Sequence, residues 1–183
     1  MSERRVPETQ PGTVIWLTGI PAAGKSTVAE GLIAALRERA VPVELLDSDT
    51  VRAFISPDLR YSPEARDQNT KRLAFIAQLL ARNGVWTVIA AVSSQRRFRD
   101  RARAMVERFV EVWVKCPVQV CQRRDPKGLY KKAAEGLVSD IAGLHQPYEE
   151  PLNPEVVLET DEETPQDSVN RLLSALNDLG YLD

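Results

Sequence analysis

Short apolar runs alternate with longer amphipathic segments along this chain. Five runs are rich in β-branched and aromatic residues and are bounded by turn residues; they lie at 13–18, 42–47, 85–92, 109–115 and 155–159. Apolar residues recur at helical spacing in the segments at 25–39, 64–82, 96–107, 117–123 and 166–179. This alternation predicts an α/β fold in three layers, with a five-stranded parallel sheet covered by helices.

One segment, about 126–154, does not follow the alternation. It contains several prolines and glycines and little sustained apolar periodicity. Long irregular segments inside compact domains usually carry function, and a phosphotransferase needs a closure that excludes water. We therefore expect a mobile lid here, with a surface insertion of no function as the alternative. Residues 12–183 as a whole are expected to form one domain, and residues 1–11 a disordered lead.

The amino-acid composition limits the classes of function that this protein can be expected to have. Of 183 residues, 43% are hydrophobic and 27% charged, and the net charge of −2 gives no general reason to expect binding to nucleic acid or to a membrane. The arginine-rich stretch 96–103 is the local exception, and it could be a solvated helix face, a nucleic-acid patch or a set of phosphate donors. Two cysteines and one histidine make no zinc set, so we expect buried, reduced thiols and a cytoplasmic protein.

The clearest motif follows the first strand. The sequence Gly-Ile-Pro-Ala-Ala-Gly-Lys-Ser-Thr matches the phosphate-loop pattern G-x-x-x-x-G-K-[ST] and opens the first helix. In such loops backbone N–H groups bind phosphate oxygens, Lys25 reaches the β- and γ-phosphates, and the hydroxyl of Ser26 can hold Mg²⁺. We therefore expect an ATP or GTP site. Its residues are Gly19, Ile20, Pro21, Ala22, Ala23, Gly24, Lys25, Ser26 and Thr27.

Acidic residues follow the second strand. Asp47 and Asp49 come at its end, whereas the third strand is followed by Ser93 and Ser94. In an extended chain the two aspartates share a face, at the sheet edge where α/β proteins bind ligands. One would orient Mg²⁺ and the other would accept a proton from the acceptor hydroxyl. Alternatively, Asp49 caps a helix that begins near Thr50.

Basic and amide side chains suited to phosphate or sulfate come next along the chain, and they imply a second anionic substrate. They are Arg52, Arg66, Asn69, Arg96, Arg99 and Arg103.

Several blocks of sequence occur together in a fixed order. They are the phosphate loop, Leu-Asp-Ser-Asp-Thr-Val-Arg at 46–52, the segment 61–72, Arg-Asp-Pro-Lys-Gly-Leu-Tyr-Lys-Lys-Ala at 124–133, and Pro-Tyr-Glu-Glu-Pro-Leu-Asn-Pro at 147–154. Over about residues 12–180 the chain resembles the adenylylsulfate kinase (APS kinase) family of P-loop nucleotide kinases. The resemblance implies sulfate activation, in which ATP with Mg²⁺ phosphorylates the 3′-hydroxyl of adenosine 5′-phosphosulfate (APS) to give PAPS and ADP.

The resemblance also implies roles for individual residues. Lys25, Asp47, Asp49 and Ser93 would be catalytic: Asp47 matches the acid near the 3′-hydroxyl, and Ser93 the serine described in the family as a phosphorylated intermediate. Ser26 and Asp49 would hold the metal, and Arg124 would bind ATP. The acceptor would be bound by Asp47, Arg52, Tyr61, Arg66, Asn69, Ser93, Lys127 and Ile141.

The chain departs from the family on the acceptor side. Ile141 replaces an aromatic residue that would stack on the acceptor adenine, and Ala142 and His145 also differ from the usual pattern. A kinase of the same fold acting on another nucleotide conjugate, such as cytidine diphosphoramidate, is therefore an alternative. A non-catalytic ATP-binding regulatory module is another. Neither nucleic acid nor membrane is expected as a partner, and a homodimer stays open.

Overall fold

A five-stranded parallel sheet forms the centre of the protein. The computed structural model describes residues 10–59 and 62–182. The strands are β1 Val14–Thr18, β2 Val43–Asp47, β3 Trp86–Ala90, β4 Phe109–Lys115 and β5 Val156–Glu159. They lie side by side in the order β2-β3-β1-β4-β5, and every described pair is parallel. The sheet predicted from the apolar runs is confirmed.

Helices connect the strands. They are α1 Lys25–Glu38, α2 Ser48–Phe54, α3 Pro63–Ala81, α4 Arg96–Arg103, α5 Val118–Arg124, α6 Leu129–Ala134 and α7 Pro165–Asp178. The predicted helix at 96–107 ends earlier, at Arg103, while α7 starts with a capping box between Thr164 and Asp167. Helix α6 was not predicted, because six residues are too few to show a helical period.

The two faces of the sheet pack against different helices. Alternate residues of β1 point to opposite sides, which gives the sheet two apolar clusters. One contains Leu32 of α1 and Leu172 of α7, and the other contains Leu73 of α3 and Ala102 of α4. Trp16 lies in the second cluster with none of its surface exposed.

The predicted lid is more structured than its sequence pattern suggests. It contains α6, whose Tyr130 is buried, and it contributes the further buried residues Ile141 and Ala142. The hydroxyl of Tyr130 donates to the carbonyl oxygen of Pro21 at 3.0 Å. Single apolar residues, spaced too irregularly to give a period, therefore hold this segment against the phosphate loop.

Three further expectations concern the cysteines, the terminus and the membrane. Cys116 and Cys121 are free and buried, as predicted. Residues 1–9 of the predicted lead lie outside the described part of the chain. No helix among residues 10–59 and 62–182 combines the length with the apolar character that crossing a bilayer requires.

Candidate active site

The phosphate loop joins the end of β1 to the start of α1. Gly24 is the N-cap of α1 and has a φ of 99°, a left-handed conformation that favours glycine. The helix begins at Lys25 and its first turn contains Ser26 and Thr27, both of them exposed. The N-terminal end of α1, with its N–H groups and positive end of the dipole, therefore lies at the carboxyl edge of the sheet.

The side chain of Lys25 folds along this loop. Its ammonium group donates to the carbonyl oxygens of Gly19 and Ile20, both at 2.9 Å. Burial lowers the pKa of Lys25 to about 8, against the opposing attraction of groups that include Cys121 and Asp49. A lysine with this pKa still carries its charge at neutral pH, and an arriving phosphate would stabilise that charge.

The two aspartates after β2 do not lie on a common extended face, so that prediction is wrong. Strand β2 ends at Asp47 and α2 begins at Ser48. The Oδ1 atom of Asp47 accepts hydrogen bonds from the backbone N–H groups of Asp49 at 3.0 Å and Thr50 at 3.1 Å. Asp47, and not Asp49, is therefore the helix cap, and these bonds make a helix rather than an extended chain favourable from residue 48.

Asp49 lies in the first turn of α2 and forms an ion pair with Lys127 of the lid. Both side chains keep more than half of their surface exposed, so the pair itself adds little stability. The ion pair places Lys127 beside Asp49, the residue that the family resemblance predicts to hold the metal.

The residues present fit a magnesium ion that is shared with a nucleotide. Among residues 10–59 and 62–182, no group of three or more His, Cys, Asp or Glu side chains is placed to hold a metal by itself. Mg²⁺ is usually bound by one or two protein oxygens together with substrate phosphates and water. The hydroxyl of Ser26 and the carboxylate of Asp49 are oxygen donors of this kind.

The residues predicted to bind the acceptor are spread over α2, α3 and the lid. The guanidinium of Arg66 donates to the carbonyl oxygen of Asp140, which ties α3 to the lid. Arg52 donates to the carbonyl of Leu59 at 3.3 Å. Asn69 is 3% exposed, and its Nδ2 atom donates to Ser48 at 3.3 Å, while its Oδ1 atom has no hydrogen-bond partner among the described residues. Tyr61, which was also predicted to bind the acceptor, lies outside the described residues.

Ser93 follows β3 and is 8% exposed. Its φ of 41° places the backbone in the left-handed region, which is uncommon for a residue other than glycine. The hydroxyl accepts a hydrogen bond at 3.1 Å from the indole N–H of Trp16. Its predicted part in catalysis stays a prediction, and its geometry is that of a residue held in one conformation in the loop after β3.

The arginines of α4 are engaged by protein groups. That Arg96, Arg99 and Arg103 supply phosphate donors stays a prediction, and the burial of Arg99 opposes it. Arg103 pairs with Glu155 at 2.7 Å, and Arg96 donates to the carbonyl oxygen of Glu150 at 2.8 Å. Arg99 is 1% exposed and its Nε donates to Glu111 at 2.6 Å. The sequence signal that was missed is Glu111 itself, a lone acid inside the apolar β4 run, because a buried carboxylate requires a cationic partner.

Arg124, which was predicted to bind ATP, lies beside the loop that follows β5. It donates to the carbonyl oxygen of Thr160 at 2.5 Å and to the hydroxyl of Thr160 at 3.3 Å. That hydroxyl donates to the carbonyl oxygen of Ala23 at 2.7 Å. Thr160 therefore connects Arg124 to the phosphate loop, a contact between distant segments that the spacing of residues along the chain does not reveal.

Ile141 occupies the position where an aromatic residue was expected to stack on the acceptor. It is 2% exposed and belongs to the apolar cluster that also contains Ile20 and Tyr130. The predicted contact between Ile141 and an acceptor base stays a prediction, and the burial of this side chain opposes it. His145 accepts from the backbone N–H of Ile141 at 3.4 Å and so lies beside it.

A phosphate loop between β1 and α1, acids at the end of β2, and a lid whose lysine reaches one of those acids define a P-loop nucleotide kinase.

Comparison with known proteins narrows this class. A family model described as adenylylsulphate kinase matches residues 11–159. The adenylyl-sulfate kinase of Gloeothece citriformis is 47% identical over 173 residues, which cover 94% of this chain and 98% of that relative. Its counterpart from Rippkaea orientalis is 46% identical, with coverage of 94% and 96%. The APS kinase of Mycobacterium tuberculosis in complex with AMPPNP and APS superposes with a TM-score of 0.88 at 34% identity, covering 91% of this chain and 98% of that one. The chain therefore belongs to the adenylylsulphate kinase family.

Proposed function

We propose that this protein transfers the γ-phosphoryl group of ATP to the 3′-hydroxyl of APS, giving PAPS and ADP. The observation that carries the proposal is the placement of the 124–133 block, the most distinctive part of the sequence. It brings Lys127 to Asp49 and Tyr130 to the phosphate-loop residue Pro21. One lid segment therefore contacts both the acid-bearing helix and the donor loop.

On the donor side, the phosphate loop and Lys25 bind the β- and γ-phosphates, and Arg124 binds the nucleoside end of ATP. Magnesium, held by Ser26 and Asp49 together with the phosphates, would neutralise the charge that develops on the transferred group. The link from Arg124 through Thr160 to Ala23 supports this assignment, because it fixes Arg124 relative to the loop.

On the acceptor side, Asp47 accepts the proton of the 3′-hydroxyl. A bond forms between the 3′-oxygen and the γ-phosphorus, the bond from that phosphorus to the oxygen bridging to the β-phosphate breaks, and ADP leaves. The two N–H groups that bind Oδ1 of Asp47 support this role, because they orient the carboxylate at the sheet edge. Arg52, Arg66, Asn69 and Lys127 are assigned to the anionic and ribose groups of the acceptor.

Ser93 serves as a positioning residue in this proposal. Direct in-line transfer requires no covalent intermediate once donor, metal and acceptor are aligned. The burial of Ser93 and its hydrogen bond with Trp16 support a structural part for its hydroxyl.

A second candidate acceptor is another nucleotide conjugate. The burial of Ile141 favours it, because one face of the adenine would lack an aromatic partner. A stacked aromatic contributes on the order of 1–3 kcal/mol, so its loss weakens APS binding or changes the preferred base.

The test measures ADP release from ATP and Mg²⁺ with APS and with a panel of other nucleotide conjugates, and identifies products by mass spectrometry. Turnover of APS at low concentration, with a product heavier by one phosphoryl group, is expected. Turnover with another conjugate alone would establish the second candidate, and ATP binding without turnover of any acceptor would leave a regulatory module. A homodimer and a cytoplasmic location remain predictions.

A further inference from the structure

Arg99 is a buried cation at a junction of three segments. Its guanidinium donates to the Glu111 carboxylate at 2.6 Å, to the carbonyl oxygen of Ser93 at 2.6 Å, and to the carbonyl oxygen of Glu149 at 2.7 Å. The ring of Tyr148 lies 5.8 Å from the same group. Glu111 offsets the charge of Arg99, so the fork of the guanidinium can bridge two backbone carbonyls in the interior.

These two carbonyls belong to segments that are distant in sequence. Ser93 lies in the loop after β3, and Glu149 lies in the last part of the lid. The same two segments are joined by the bond from the N–H of Glu149 to the carbonyl oxygen of Ser94, at 2.8 Å. The N–H of Arg96, the first residue of α4, donates to the Glu149 carboxylate, also at 2.8 Å. The lid is thus anchored at this end to the loop after β3.

The loop that Arg99 holds is strained. A non-glycine residue in the left-handed region costs about 1–3 kcal/mol and persists only where the surroundings fix it. For Ser93 the surroundings are the Arg99 bond to its carbonyl oxygen and the Trp16 bond to its hydroxyl.

We propose that Arg99 is a positioning residue of the acceptor site. It holds the loop at Ser93 and the end of the lid in one arrangement, so that the acceptor enters a preformed site beside Asp47. Only the expected effect on APS kinetics rests on the proposed function. The coupling among Arg99, Ser93 and the lid is a property of the folded chain alone.

The donor side depends on other contacts. Tyr130 and Thr160 hold the phosphate loop through the carbonyl oxygens of Pro21 and Ala23. Loss of the Arg99 junction should therefore impair the use of the acceptor far more than the binding of ATP.

The kinetic test compares Arg99→Lys with Arg101→Lys. Arg101 lies on the same helix and pairs with the partly exposed Asp67, so it controls for loss of an arginine. Lysine keeps the charge near Glu111, but its ammonium lacks the planar fork that spans the carbonyls. We expect kcat/KM for APS to fall roughly 10²-fold in Arg99→Lys, with the KM for ATP changed less than about twofold. Equal loss on both substrates would overturn the proposal.

A second readout needs no activity. The chain has three tryptophans, so a nitrogen–proton spectrum contains three indole signals, and Trp16→Phe assigns that of Trp16. Arg99→Lys should shift the Trp16 signal, because its acceptor Ser93 moves, whereas Arg101→Lys should leave it in place. An unshifted Trp16 signal in folded Arg99→Lys would reject the coupling, even if APS proves not to be the acceptor.

If Arg99→Lys does not fold, amide hydrogen exchange in the wild-type protein tests whether the junction opens as one unit. The amides of Arg96 and Glu149 both bond across the junction. If Arg99 makes it one unit, the two amides show the same protection factor, that is, the same slowing relative to their rates in an unfolded chain, because both exchange through one opening. Protection factors that differ by more than about tenfold would show independent segments and overturn the proposal.

Discussion

At the scale of single residues, Asp47 carries two functions that a suitable pair of substitutions separates. It caps α2 through Oδ1, and it is the proposed acceptor of the hydroxyl proton. Asparagine caps helices as well as aspartate does, whereas alanine does not. Asp47→Asn should therefore keep the stability of the protein and lower kcat by roughly 10²-fold or more. Asp47→Ala should lose a similar amount of activity and about 1 kcal/mol of unfolding free energy.

Steady-state kinetics and denaturant unfolding of the two variants measure these quantities. ATP affinity should be nearly unchanged in Asp47→Asn. A defect limited to ATP binding would reject the role of Asp47 as a base and place it on the donor side.

Lys25 gives a prediction on pH. Its pKa is about 8 in the folded protein and near the ordinary 10.5 in the unfolded chain. Between these values the unfolded chain binds a proton that the folded protein has released, so this group makes the unfolding free energy rise with pH. The stability of the wild type should therefore increase relative to that of Lys25→Met from about pH 8 to pH 10.

Urea unfolding of both proteins at several pH values in this range tests the sign. Lys25→Met should also lack turnover while remaining folded. A stability difference that stays constant with pH would show that the lysine is not buried as described, and retained activity would remove the ATP site.

At the scale of elements, how well a strand or helix could be predicted from the sequence depended largely on the length of that element. The five strands were visible as apolar runs, and α1, α3 and α7 as periodic segments. The six residues of α6 are too few to show an amphipathic repeat, and α2 was foreseen only as the alternative of a helix near Thr50. The error over Asp47 and Asp49 came from preferring an extended chain to that helix, which begins at Ser48 with Asp47 as its cap.

The packing of the lid on the phosphate loop gives a prediction with a matched control. Gly143 has a φ of 84°, and a Cβ added there would lie 2.7 Å from Cγ2 of Ile20. Gly136 has a φ of 73°, and nothing lies within 4 Å of the same added atom. Alanine at either position should cost about 1–2 kcal/mol for the left-handed backbone.

Only Gly143→Ala should also push the lid away from the donor loop. We expect its KM for ATP to rise roughly fivefold or more, and that of Gly136→Ala to change less than about twofold. Equal effects of the two substitutions would mean that backbone strain, and not the contact with Ile20, accounts for the loss.

At the scale of the whole molecule, the topology of the sheet made the position of the donor site predictable. It did not predict which side chains from distant segments contact one another. The carboxyl ends of parallel strands share one edge of the sheet, so the phosphate loop and Asp47 had to lie near each other. The partner of a buried arginine depends on which side chains meet across the sheet. Neither the Arg99 contact with Glu111 nor the link from Arg124 to Thr160 could be derived from spacing along the chain.

The lid touches both halves of the proposed site, and this predicts that the two substrates bind cooperatively. It reaches the donor loop through Tyr130, and the acceptor side through Asp140 and Glu149. If each ligand orders the same lid, the first ligand to bind already removes part of the lid's conformational entropy. The second ligand then loses less entropy on binding and binds more tightly. A coupling free energy of about 1–3 kcal/mol is the usual size of such effects.

Isothermal titration of APS, with and without a saturating non-hydrolysable ATP analogue, measures this coupling, and the reverse titration must give the same factor. We expect tighter APS binding in the presence of the analogue. Gly143→Ala should reduce the coupling because it separates the lid from Ile20, and Gly136→Ala should retain it. Independent binding in the wild type would mean that the lid acts on one substrate only, and that the contacts seen on its two sides do not move together.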